Sequence, residues 1–306
     1  MGGIAVHFAD RLRKRMDDLG SRLVVGIDPD PRRLFAEDSL FRKAYPGMSK
    51  DGLLDEFCEA AVEAAQDTAC AVKPQSAFFE ALGVSGIRSL AKCVKLARSK
   101  GIPVIMDGKR GDIGNTAAAY AAAYLDPSSE LAADALTVNP YLGPDTLGPF
   151  VNAVKQWEAG LFILVKTSNP GSGVFQDAEL KSGGSLFMKV AEVVGQLAEE
   201  STGACGYSDV GAVVGATYPE ELSLLRRTLP ACVFLVPGYG AQGGTAEDVR
   251  GAFNEDGYGA VVSSSRGIIF AYERLGERAD RESIREAMHR AAVTARDDLR
   301  SVTPSI

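Results

Sequence analysis

From residue 23 onward, short apolar runs alternate with longer stretches of helical spacing. The runs fall at 23–27, 69–72, 102–106, 135–138, 161–165, 210–214, 232–236 and 260–262. Between them, Leu53, Leu54, Phe57, Ala61, Val62 and Ala65 share one face of a helix, as do Leu90, Val94 and Ala97. Further helices are predicted over 117–125, where Tyr120 and Tyr124 stand four apart, and over 186–197, 219–229, 246–253 and 282–299. Ahead of the first run, Phe8, Leu12, Met16 and Leu19 keep helical spacing, so a helix is expected over 7–19, stopped by Gly20.

Eight buried-type strands alternating with helices predict a parallel sheet, and eight is the number that closes into a (β/α)8 TIM barrel, an α/β fold. An open doubly wound sheet would carry a glycine fingerprint or a P-loop after an early strand. Here the first run ends in Gly26-Ile27-Asp28-Pro29, which is neither. No linker or composition break interrupts the pattern, so a single domain is expected, with an insertion at about 29–50 after the first strand.

Composition narrows the chemistry. The chain has 306 residues, 46% hydrophobic and 24% charged, with a net charge of -7. That balance opposes a broad nucleic-acid surface, and no run approaches the roughly 20 apolar residues of a membrane span. The charged first 20 residues lack a signal-peptide core. The five cysteines form no CxxC pair and read as reduced thiols of a cytoplasmic protein. With only His7 and His289, a His-based triad or zinc site is not expected, nor is any other metal site.

Barrel sites sit where the strands end, and nearly every strand here ends on polar residues. The list includes Asp28, Lys73, Asn139, Ser168, Pro237 and Gly238. The third strand leads into Asp107-Gly108-Lys109-Arg110-Gly111-Asp112. If the strand runs through it, period two puts Asp107 and Lys109 on one side. With Lys73 and Asp28 on neighbouring strands, two lysines and three carboxylates then share one pocket, each kept ionised by its opposite neighbours. An ammonium held between carboxylates can stabilise a developing carbanion and then protonate it. A purely structural ion-pair network is the other reading of these charges. After the seventh and eighth strands, a glycine loop with Gln242, and Ser265-Arg266-Gly267, fall where barrels commonly bind phosphate. The residues alone thus suggest a metal-independent lyase or isomerase acting on a phosphorylated small molecule.

The ordered set of motifs resembles the orotidine 5'-phosphate decarboxylase family. Residues 107–112 carry its DxKxxD signature, in the form of the subfamily often called type 2, and the likeness extends from about 22 to 269 through residues 138–143, 166–171, 237–244 and 263–267. The resemblance implies decarboxylation of orotidine 5'-phosphate to UMP, the last step of de novo pyrimidine synthesis, without cofactor. It implies Lys109 as proton donor to C6, flanked by Asp107 and by Asp112 of a second subunit, with Lys73 completing the array. Asp28 and Lys73 would lie near the ribose hydroxyls and Ser168 at the pyrimidine. Gln242, Arg266 and adjacent loop residues would hold the phosphate. Asn139, Pro237, Gly238 and Ser265 lie in the matching motifs as further substrate-binding residues. A homodimer is implied, with Asp112 and Thr116 reaching into the partner's site. Two alternatives remain: a related Mg2+-dependent sugar-phosphate decarboxylase, and a silent nucleotide-binding barrel.

Overall fold

The computed structural model describes residues 7–240 and 244–303. Its strands are β1 (Leu23–Ile27), β2 (Ala71–Pro74), β3 (Ile105–Arg110), β4 (Ala135–Val138), β5 (Gly160–Lys166), β6 (Ser208–Val214), β7 (Cys232–Val236) and β8 (Ala260–Ser264). All are parallel, in the order β2-β1-β8-β7-β6-β5-β4-β3. Isolated parallel bridges Val72↔Val104 and Gln75↔Asp107 join β2 to β3 and close the barrel. The expected (β/α)8 architecture is therefore present.

β2 and β3 sit two to four residues further along than the apolar runs suggest. Both strands continue through charged residues, Lys73 in β2 and Asp107 and Lys109 in β3. An apolar run stops being apolar where a barrel strand reaches its functional end. Besides several short helices, one α-helix of ten residues among the described residues has no counterpart in the expected set. Gly148–Trp157 opens on Gly148-Pro149, a pair that reads as a turn but is also tolerated in a helix's first turn.

Period two divides the barrel strands between two apolar layers. Leu23, Val25, Cys232, Phe234, Val236, Ala260 and Val262 face the surrounding helices and join the large outer core. Their alternates Val24, Val233, Leu235 and Val261 point inward. The inward layer meets the helix Phe8–Leu19, which closes the bottom of the barrel with buried Phe8, Ala9, Leu12 and Met16. Phe8 packs edge-on against Phe162 of β5, with centroids 6.1 Å apart. His7 stands at the helix N-cap, its Nδ1 2.7 Å from Asp209 Oδ2, and the Ala9 amide donates to Asp209 Oδ1 at 2.8 Å. Gly20, left-handed at φ 56°, ends the helix as its position suggests.

The segment after β1 folds into two short helices, Pro31–Leu34 and Leu40–Ala44. It packs against the C-terminal part of the chain. Phe41 stacks on Tyr45 (4.9 Å) and meets Phe57 and Tyr272. Arg33 lies over Phe270 and pairs with Glu273, and Arg281 lies over Tyr45. The insertion and the C-terminal helix Arg281–Val302 thus brace one another. Among the described residues no helix is long and apolar enough to cross a membrane.

If the first helix is the floor of the barrel, Phe8→Ala opens a cavity beneath Phe162. A loss of about 3–5 kcal/mol is expected, read as a lower urea midpoint. An unchanged midpoint would mean that the floor lies elsewhere.

Candidate active site

The alternation that builds the inner apolar layer also builds the polar layer above it. Ala71, Ile105 and Ala135 belong to the inner cluster. Two residues further along the same strands stand Lys73, Asp107 and Thr137, still facing inward. Together with the loops they line a cavity of about 510 Å³ at the C-terminal mouth of the barrel.

Asp107 is its centre. Lys73 Nζ donates to Oδ2 at 2.7 Å and Gln75 Nε2 to the same oxygen at 3.1 Å. Lys109 Nζ donates to Oδ1 at 2.6 Å and Thr137 Oγ1 to that oxygen at 3.0 Å. Four donors fill the capacity of one carboxylate. Burial pushes the Asp107 carboxyl up, but the Lys73 and Lys109 ammoniums and their hydrogen bonds outweigh it and hold the group well below the usual carboxylate range. Burial likewise depresses Lys73, yet Asp107 and Asp28 outweigh it and hold the ammonium above its ordinary value. Lys73 and Asp107 are nearly closed to solvent, whereas Lys109 keeps 44% of its side chain exposed at the cavity. Among the described residues Lys109 Nζ has one partner, so two of its three N–H donors remain for a ligand.

Lys109 reaches this position through a break in its strand. Met106 pairs with Leu136 and Arg110 with Val138, so β3 spends four steps where β4 spends two. Lys109 sits in this bulge at φ 46°, the left-handed region that non-glycine residues avoid. Such a conformation costs about 1–3 kcal/mol and persists only where the surroundings impose it. The Lys109 amide donates to Thr137 Oγ1 at 2.9 Å, the same hydroxyl that bonds Asp107. Simple alternation therefore does not bring Asp107 and Lys109 together; the bulge re-aims the lysine.

Most of the remaining lining comes from four strand ends. Asp28 after β1 has a buried Oδ1 with no hydrogen-bond partner among the described residues, an acceptor suited to a ligand hydroxyl. Ser168 and Asn169 follow β5, whose last residue, Lys166, is buried and paired with Asp177 and, at 3.2 Å, Glu221. That pairing and the bonds of Gln176 to Thr167 (3.0 and 2.8 Å) fold the loop back on itself, and Gln176 joins the cavity wall. Pro237 and Gly238 after β7, and Ser265 and Arg266 after β8, complete the wall. Gly238 has φ 106°, open to glycine alone in practice. Gly26 makes room for Ser265: a Cβ there would lie 1.8 Å from its Oγ.

Nine of the sequence-selected residues thus share one cavity: Asp28, Lys73, Asp107, Lys109, Ser168, Pro237, Gly238, Ser265 and Arg266. Three lie outside its wall. Asp112 is half-buried and accepts its neighbour's amide, from Ile113, at 2.8 Å. Thr116 is exposed on the helix Gly114–Leu125. Asn139 lines a second, apolar cavity of about 480 Å³. Gln242 lies outside the described residues. Thr137, Gln75 and Gln176 were not selected. Thr137 was findable, two residues after inward-facing Ala135; Gln176 is placed by loop folding that leaves no mark in the sequence.

The family model described as "Orotidine 5'-phosphate decarboxylase / HUMPS family" matches residues 21–279. A Rhodopirellula baltica protein named orotidine 5'-phosphate decarboxylase is 44% identical over 302 residues, covering 96% of this chain and 99% of that one. A Haloarcula marismortui protein of the same name is 43% identical, covering 90% and 91%. The solved structure of Leishmania donovani OMP decarboxylase superposes with a TM-score of 0.72 at 30% identity, covering 97% of this chain and 98% of that one. Fold, cavity and relatives agree, and the chain belongs to the orotidine 5'-phosphate decarboxylase / HUMPS family.

Proposed function

We propose that this barrel converts orotidine 5'-phosphate to UMP and CO2, with Lys109 as the proton donor. The observation that carries the reading is the Lys73–Asp107–Lys109 array at the barrel mouth, in which a saturated carboxylate holds one ammonium buried and presents the other to the cavity. Breaking the bond from C6 to the carboxylate releases CO2 and leaves the electron pair on C6. The ring delocalises that pair poorly. A fixed ammonium offsets the charge as it develops, then transfers one N–H proton to C6 and is itself reprotonated from solvent. Asp107 has no lone pair to spare for substrate; its part is to fix Lys109 and to hold the Lys73 ammonium charged.

The barrier to be removed lies near the upper end of the roughly 8–23 kcal/mol span of most enzymes, more than one contact supplies. Remote binding therefore contributes. Arg266 and the loops after β7 and β8 suit the phosphate, the orphan Asp28 oxygen a ribose hydroxyl, and Ser168 the pyrimidine. A Mg2+-assisted sugar-phosphate reaction fits less well. It calls for a carboxylate at the end of β2, where Lys73 already bonds Asp107.

The positions of Asp112 and Thr116 favour a homodimer. Beside them Ile113, Tyr141 and Leu142 leave 62%, 77% and 52% of their surfaces exposed. An apolar surface next to polar residues that miss their own cavity suits a second copy, whose site Asp112 and Thr116 would enter.

Orotidine 5'-phosphate absorbance should fall on addition of enzyme, with or without EDTA. Lys109→Ala should abolish turnover yet still bind UMP by calorimetry; turnover near the wild-type rate would sink the mechanism. Arg266→Ala should lower kcat/KM by about 10- to 150-fold, the worth of a charge-assisted hydrogen bond of about 1.5–3 kcal/mol. If two chains share each site, mixing inactive Lys109→Ala and Asp112→Ala proteins should restore about a quarter of wild-type activity: half of the dimers are mixed, and each has one intact site. No recovery, with subunit exchange verified, would place Asp112 elsewhere.

The depressed Asp107 carboxyl also sets a pH dependence. A folded value below the unfolded one, about 3.9, gives stability that is complete above that pH and lost as pH falls below it. The gap in urea midpoint between wild type and Asp107→Asn should therefore narrow as pH drops from about 5 to about 3. A constant gap would mean that the carboxyl is not held low.

A further inference from the structure

Arg110 occupies a variable place in the signature and does not line the cavity. Its guanidinium lies instead between two helices. Nη2 donates to Glu80, at the end of the helix Ser76–Glu80, and to the Tyr124 hydroxyl at 2.7 Å, on the helix Gly114–Leu125. Its centre is 5.4 Å from the ring centroids of both Tyr120 and Tyr124, the pair spaced one helical turn apart. Nη1 reaches back to the Gly108 carbonyl at 3.3 Å, and the Arg110 carbonyl accepts the Asn139 amide at 2.7 Å. The Arg110 side chain thus holds the residue before Lys109, the Asn139 amide holds the backbone of the residue after it, and Thr137 holds the Lys109 amide.

A left-handed lysine in a two-residue bulge needs such restraint. We infer that Arg110, braced by Glu80 and Tyr124, is a positioning residue that locks the β3 bulge and so fixes the Lys109 ammonium against Asp107. The inference rests on Lys109 as proton donor. It also explains why two helices outside the cavity matter to the chemistry: Ser76–Glu80 follows β2, which carries Lys73, so one guanidinium ties together the strand ends bearing both lysines. Lysine cannot replace this fork, because an ammonium on a flexible stem does not span three acceptors in fixed directions.

The test compares wild type with Arg110→Ala, Arg110→Lys, Tyr124→Phe and Glu80→Gln. Turnover is expressed per UMP-binding site counted by calorimetry, and dimer content is read by sedimentation. Arg110→Ala should lower kcat per site by about 100-fold, the scale of an ångström-sized misplacement of a reacting group, with UMP affinity within about threefold of wild type. Arg110→Lys should recover about a tenth of the wild-type kcat at most. Tyr124→Phe, which deletes one oxygen and is the variant safest for folding, should lower kcat by about five- to tenfold, and Glu80→Gln by a similar factor. A kcat per site within threefold of wild type in both Arg110→Ala and Tyr124→Phe would overturn the inference. So would a loss accounted for by fewer UMP sites or by dissociation to monomers, since Arg110 would then be a folding or dimer residue. If Lys109→Ala turns over substrate, the proton-donor reading itself fails. If Lys109→Ala is dead and the Arg110 variants are fully active, only the clamp fails.

Discussion

A single carboxylate organises the mouth of this barrel. Asp107 accepts two ammonium groups, one amide and one hydroxyl, and each donor comes from a different place: β2, the loop after it, β3 itself and β4. Removing any one leaves the others bonded, but removing the carboxylate leaves two cations facing each other in a site of low dielectric, where repulsion is least screened. The arrangement also divides labour between like residues. Lys73 is closed in and Lys109 half open to the cavity, which suits the first to supply field and the second a proton in the proposed reaction.

The scaffold beneath makes that carboxylate possible. Alternation along the strands fills the lower barrel with side chains from Val24, Ala71, Ile105, Ala135 and Phe162. One step higher, the same geometry turns polar, so the array stands on a packed floor. Tight packing below keeps water from reaching the charges from behind, and the paired bonds above satisfy what burial would otherwise leave exposed. The loops are tied down in turn. Lys166 anchors the segment carrying Ser168, and Tyr239 bonds Asp298 of the C-terminal helix at 2.6 Å.

Much of this was legible in the chain. The eight runs, the terminal helix with its Gly20 stop and the polar strand ends followed from spacing alone, because period two and period 3.6 are imposed by burial. What was not legible depends on local breaks in those periods. The bulge at Lys109 is invisible to any alternation rule, and strict alternation gives the right pairing for the wrong reason. The boundaries of β2 and β3 were misplaced where polarity and strand geometry part company. Arg110 had no readable partner, since Glu80 lies 30 residues away and meets it only in the folded barrel. The insertion after β1 shares an aromatic cluster with Tyr272, in the segment just ahead of the C-terminal helix, a contact that spacing along the chain does not reveal.

The helix under the barrel has one more consequence. Phe8, Leu12 and Met16 pack beneath the barrel, so among the described residues the cavity is closed from below and opens toward the strand ends. In the proposed reaction both products would leave through the mouth by which the substrate enters. A nucleotide gripped at its phosphate is slow to let go, whereas a small uncharged gas is held by nothing. In the proposed reaction, carbon dioxide would therefore leave before the nucleotide, and the way out for the nucleotide would also be the way in for the next molecule.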